Sequence, residues 1–287
     1  MAQRWVCCVY RNRQEWGEVV SDEITHGGVV TSVDDSGIGR LTISRPERMN
    51  ALDGGAHQAI EDTLAEWSTR DDVRVVVIDG AGGSFSAGAD VRGFAERSTE
   101  GGASGFTREQ ARQIISGGSA LLRAVRSVPV PVIASVDGAA AGIGASLALG
   151  ADLIYTTARS YFLLAFVNIG LMPDGAASMS FATAVGRVRA NELALLGEKL
   201  RAAEALDAGL VNGVVDDRAA LDEVVGTVAR KLAGKSAAAL RLTKAALDAH
   251  TMAGFDAAIE RELEGQTELL QSPEFQAAIT AFAGASK

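Results

Sequence analysis

Residues 131–155 read PVIASVDGAAAGIGASLALGADLIY. The first part is an almost continuous apolar run, the composition of a strand covered on both faces and not of one half-exposed to water. Small residues then bring the chain into an Ala/Leu-rich stretch, AGIGASLALGAD, that reads as a helix. LIYTT (153–157) follows as a further short strand. Strand, small-residue turn, helix and strand in succession place this segment in an α/β core.

Working outward, VRVVVIDG (73–80) repeats the pattern of a strand buried on both faces. GVVTSVDDSGIGRLTIS (28–44) reads as a hairpin around Asp35-Ser36-Gly37, with β-rich runs on either side. Residues 53–67 have helical spacing, with Ile60, Leu64 and Trp67 on one face, and a second helix is predicted over 108–126. The Gly/Ser-rich RSTEGGASGFT (97–107) has no period and is a candidate mobile lid. Beyond Asp174 the pattern turns helical, over 176–184, 188–197, 201–208, 219–234, 236–249, 252–270 and 273–283. The predicted organisation is an N-terminal extension outside the fold (1–27), an α/β core (28–215) and a helical C-terminal region (216–287).

Composition narrows the function. The 287 residues are 47% apolar, enough for a sizeable core, and the net charge of −9 without a long basic run argues against a nucleic-acid binder. Cys7 and Cys8 are the only cysteines; adjacent and without spaced partners, they build neither a disulfide framework nor a zinc site, which fits a reducing cytoplasm. His26, His57 and His250 lack metal-ligand spacing, so no metal is expected. WVCCVY (5–10) is too short for a signal-peptide core, and Ser146, Gly150 and Asp152 interrupt the apolar stretch 139–155, which therefore reads as helix and strand and not as a membrane span. No phosphate-binding loop occurs, and in GIGASLALG the third glycine of a dinucleotide fingerprint is Leu147.

Two glycine-rich segments each follow a buried strand: GGSFSAGAD (82–90) and DGAAAGIGAS (137–146). Side by side, such turns can offer two backbone N–H donors to one oxygen, an oxyanion hole; taken singly, each equally permits tight strand–helix packing. The apolar FLLAFVNIGLMPDGA (162–176) ends with one carboxylate, Asp174, as either a buried acid or a helix cap.

RPERMNAL (45–52), SFSAGADVRGF (84–94), the 131–155 block and FVNIGLMPDGAAS (166–178) occur in an order that resembles the signature segments of the crotonase superfamily, the enoyl-CoA hydratase/isomerase family. GEKLRAAEALDAGLVNGVV (197–215) and SPEFQAAITAF (272–282) resemble its later segments. The resemblance implies a spiral of β-β-α units with a helical trimerisation region, hence a homotrimer or dimer of trimers. It implies acyl-CoA thioester substrates, with coenzyme A entering only as part of the substrate and no other cofactor.

Transferred by register, the oxyanion hole falls on the backbone N–H groups of Ala87 and Ile143. Substrate and CoA contacts fall on Arg48, Ser86, Ala87, Gly88, Ala89, Asp90, Arg92, Gly142 and Phe166, with Arg48 and Arg92 placed to meet CoA phosphates. The two glutamates that resembling hydratases use map onto Ser146 and Phe166, neither of which is a carboxylate. Asp174 falls where single-carboxylate enoyl-CoA isomerases carry their acid/base. The expectation is double-bond isomerisation of an unsaturated acyl-CoA. Alternatives are a hydratase with a non-standard site, a non-catalytic acyl-CoA binder, and a serine hydrolase built on Ser86 in SFSAG with His250.

Overall fold

The computed structural model describes residues 23–91, 93 and 105–284. Residues 97–104 of the expected lid, and Arg92, lie outside them. The hairpin forms as β2 (Val29–Val33) and β3 (Ile38–Ile43), paired antiparallel. Its turn is fixed by Asp34 Oδ1, which accepts the N–H groups of Ser36 and Ile38, both at 2.9 Å. A preceding strand, β1 (Ile24–His26), pairs antiparallel with β2, so the sheet begins inside the segment expected to lie outside the fold.

From β3 onward the main sheet is parallel. Its seven strands run β1-β2-β3-β4-β5-β7-β10, with β4 (Val75–Gly80), β5 (Val132–Val136), β7 (Leu153–Thr157) and β10 (Gly213–Val215). Every residue of β4 and β5 is buried, because helices cover both faces. Val76 and Ile78 of β4 face α1 (Gly54–Ser68) and α2 (Arg108–Ser127) in the larger core, with Ile60, Leu64, Trp67, Leu121 and Val125. The alternate residues Val75 and Val77, with Ile133, pack on Leu221, Val225 and Ala229. Asp53 caps α1 through the Ala56 N–H at 2.9 Å, and Thr107 with Gln110 forms a capping box on α2.

A second, three-stranded sheet joins β6 (Ala139–Ala141), β8 (Tyr161–Leu163) and β9 (Lys199–Arg201). The short α3 (Ile143–Leu149) leaves directly from β6. Helices α4 (Ala177–Val185), α5 (Arg187–Leu196), α6 (Ala202–Asp207), α7 (Arg218–Ala233), α8 (Ala237–Thr251), α9 (Phe255–Leu269) and α10 (Pro273–Gly284) complete the chain. The expected boundary at 216 separates less than the sequence implies: α7 closes the second face of the sheet, and Arg218 donates to the buried Asp79 of β4 at 2.9 Å. Lys244 of α8 reaches Asp152 at 2.7 Å.

Phe85, fully buried in the loop after β4, packs that loop onto the core. Phe85→Ala is expected to cost ~3–5 kcal/mol of stability by urea denaturation. A loss under ~1 kcal/mol would show that the loop is not held by this side chain.

Candidate active site

The loop after β3 and the loop after β4 are stitched together by Asn50, which is fully buried. Its Nδ2 donates to Ala81 O at 2.8 Å and Ser84 O at 2.6 Å, while its Oδ1 accepts the Arg45 N–H at 2.8 Å. Met49 and Asn50 hold left-handed backbone angles, φ 52° and 57°, a strain these bonds offset. Ser86 then joins the second loop to β6: its N–H donates to Ala139 O, and its carbonyl accepts the Ala141 N–H, both at 2.9 Å. Gly88, with φ 97°, lies so close to β6 that a Cβ there would sit 2.7 Å from Ala141 O.

These contacts frame a cavity of about 420 Å³. Of the sequence-derived site residues, Arg48, Ala87, Ala89, Asp90, Gly142, Ile143, Phe166 and Asp174 line it. Ser86 and Gly88 stand behind its wall. Ser86 is fully buried, and its hydroxyl donates to Asn50 O at 2.8 Å and accepts the Gly88 N–H at 3.2 Å. His250 is an exposed residue of α8. Ser86 is therefore a structural hydroxyl, which leaves the serine-hydrolase reading without a nucleophile.

The backbone donors differ from the expected pair at one position. The Ala87 N–H is already spent on Met49 O at 2.9 Å. Two residues on, Leu52 donates to Gly88 O at 2.7 Å and accepts from the Asp90 N–H at 3.0 Å. In such a parallel bridge the intervening residue turns its own N–H to the opposite side. That residue is Ala89, and its N–H has no acceptor among the described residues. The same holds for Ile143, the first residue of α3, where a helix leaves its N–H groups unpaired. Among the described residues, Ala89 and Ile143 on the cavity wall therefore keep unpaired N–H groups, whereas Ala87 does not.

Asp174 reaches the cavity from a tight turn. Gly175, φ 65°, has no room for a Cβ, which would lie 2.9 Å from both Ile143 Cδ1 and Leu122 Cδ2. Ser146 fixes the same turn by donating to the Asp174 carbonyl at 2.8 Å. The carboxylate does not cap α4. That task falls to Glu262 of α9, which accepts the Ala176 and Ser178 N–H groups at 2.6 and 3.0 Å. Asp174 Oδ2 accepts from Gln266 Nε2 at 3.3 Å, and its Oδ1 is buried with no partner. Although the residue keeps some accessible surface, that oxygen has none. Burial foremost, and then the nearby Glu262 charge, push the Asp174 carboxyl up to about 7 against the opposing Gln266 bond.

The other carboxylates on the wall are engaged or exposed. Asp90 pairs with Arg48 at 2.8 Å and with Arg45 at 3.5 Å, and Glu47 is exposed. His57 also lines the cavity; desolvation lowers its imidazole to about 4 despite Asp53, so it is neutral near pH 7. Glu262 and Gln266 gave no signal in the sequence, being polar residues among several on α9. Among the described residues no group of three or more His, Cys, Asp or Glu is arranged to hold a metal ion. No described helix is long and apolar enough to cross a membrane.

Residues 34–287 match the family model described as Enoyl-CoA hydratase/isomerase. The chain is 32% identical to 1,2-epoxyphenylacetyl-CoA isomerase of Escherichia coli, covering 86% of this chain and 92% of that protein. It is 35% identical to a probable enoyl-CoA hydratase of Rhodobacter capsulatus, covering 86% and 91%. A crystal structure of an enoyl-CoA hydratase from Mycobacterium avium subsp. paratuberculosis superposes with a TM-score of 0.80 at 39% identity, covering 90% of this chain and 96% of that one. With its β-β-α core and C-terminal helices, the chain belongs to the enoyl-CoA hydratase/isomerase family and has the crotonase fold.

Proposed function

We propose that the protein isomerises the double bond of an unsaturated acyl-CoA, with Asp174 as the sole acid/base. The observation that carries this reading is Asp174 itself: a carboxylate on the cavity wall with no ion-pair partner among the described residues and with one oxygen buried and unpartnered. The thioester carbonyl accepts the N–H groups of Ala89 and Ile143. Loss of a proton from C2 or C4 places negative charge on that oxygen, and fixed dipoles stabilise the resulting enolate. Asp174 takes the proton from one carbon and returns it to the other, so one carboxylate completes the 1,3-shift. Phe166, buried and on the wall, replaces a water-holding group by a ring.

The relatives are named both as isomerases and as hydratases. A panel of 3-enoyl- and 2-enoyl-CoA thioesters, followed by proton NMR in D₂O, tests the reading. The expected outcome is migration of the double bond with deuterium at C2 or C4. Formation of a 3-hydroxyacyl-CoA instead would make the protein a hydratase of unusual site, and binding without turnover would make it an acyl-CoA binder.

Only the ionised form of Asp174 removes a proton. Because its carboxyl titrates at about 7, kcat/KM is expected to rise with pH through that value and then level off. A limb near pH 4, the ordinary carboxylate range, would place the base elsewhere.

Association as a homotrimer or dimer of trimers, in the cytoplasm, belongs to the same proposal. It is supported by apolar residues left exposed on α5, α6 and α8: Val188, Leu195, Leu196, Leu206, Leu242 and Leu247. Helix α8 buries none of its residues in its own chain.

A further inference from the structure

We propose that Glu262 is a positioning residue for Asp174: it pins the turn that carries Asp174, and its charge makes Asp174 the member of the pair that exchanges protons. The inference rests on the acid/base reading of Asp174 and adds how that residue is tuned.

Glu262 is 1% exposed on the inner face of α9. A carboxylate so buried is costly unless its oxygens are satisfied. Both are, by N–H groups of a different element: Ala176 to Oε2 at 2.6 Å and Ser178 to Oε1 at 3.0 Å. Burial pushes the Glu262 carboxyl above its ordinary value, and the two backbone donors oppose that shift by favouring its ionised form, a support Asp174 lacks. They also hold Ala176 in its left-handed conformation, φ 59°, immediately after Gly175. Asp174 has the opposite environment. It receives one long side-chain bond, and its second oxygen has none.

Among the described residues no Lys or Arg forms an ion pair with either carboxylate. The groups facing the pair add little opposing charge. From α9 come Gln266, a neutral donor, and Arg261, whose charge favours the ionised Glu262. From α2, Arg123 is committed to Asp256 and Glu260. From α1, His57 is neutral, and α3 and α4 carry no titratable side chain. Two neighbouring carboxylates in such a place do not ionise together easily, so their environments divide the roles. Glu262 keeps the charge and Asp174 holds the exchangeable proton.

The test is the titration of the Asp174 carboxyl carbon by NMR of ¹³C-Asp-labelled protein, its resonance identified by its loss in Asp174→Asn. It is run beside the pH profile of kcat. In Glu262→Gln the charge is gone while one acceptor remains. The Asp174 midpoint is then expected to fall by ~1 pH unit, with the activity limb following it. Glu262→Asp keeps the charge and is expected to restore most of the shift. A midpoint in Glu262→Gln equal to that of the wild type would overturn the proposal, as would a rate lowered equally at every pH. The titration reads this whether or not Asp174 proves catalytic. An Asp174→Asn variant that stays active would remove the acid/base reading alone.

Discussion

Asp174→Asn is expected to lower isomerisation of 3-enoyl-CoA by ~100-fold or more, the scale of losing a general acid–base. The replacement is nearly isosteric, so the cavity keeps its shape and the side chain can still accept from Gln266. What disappears is the group able to take and return a proton. Stability should move the other way. The folded carboxyl titrates at about 7, above the ordinary value of 3.8. The favourable burial of the neutral acid is therefore complete below pH 3.8 and is lost as pH rises through about 7. Asparagine cannot ionise, so thermal melts should show the variant more stable than the wild type at pH 8 and close to it at pH 4. Activity within threefold of wild type would take Asp174 out of the mechanism. Reduced activity with an equally reduced melting temperature at every pH would point to misfolding instead.

Ile143→Pro is the second large effect, because it removes a backbone donor that no ordinary substitution can reach. Ile143 opens α3, and a proline at the first helical position is tolerated: the missing N–H has no intrahelical acceptor there in any case. Its ring would stand where the proposed mechanism holds the oxyanion. Loss of one donor from such a hole is expected to cost ~10²–10³ in kcat. Ile143→Val is the control, since it keeps the N–H and removes one buried methylene from a side chain 4% exposed. That variant should lose only ~0.5–1.5 kcal/mol of stability and little rate. Comparable rates for the two variants would show that the Ile143 N–H does not stabilise the transition state.

The strands β4 and β5 were legible because helices on both faces demand unbroken apolar runs, and seven of the downstream helices were legible from period and breakers. The strands β6, β8, β9 and β10 were not. Each has three residues, too few to establish an alternation, and their pairing partners are distant in sequence. The run 162–171 illustrates this: its apolar composition conceals a strand, Tyr161–Leu163, followed by a tight turn, Ala165–Ile169.

The site divides along the same line. The order of the motifs, the two glycine-rich turns, Asp174, and the absence of carboxylates at 146 and 166 were all properties of the chain as written. Whether the donor was Ala87 or Ala89 was not, because a backbone N–H is free or spent according to what the fold brings against it. Met49 O, from a loop some forty residues earlier, takes the Ala87 N–H. Nor does the sequence distinguish Glu262 from Glu260, Glu264 and Glu268 on the same helix. Only packing buries the first of these against the turn that carries Asp174. Sequence by itself determined the family, the sheet's buried strands and the acid in its apolar setting, since those depend on local period and residue type. Tertiary structure decided which hydrogen-bonding groups remain unpaired and which charges share a cavity, because both depend on contacts between segments far apart in the chain.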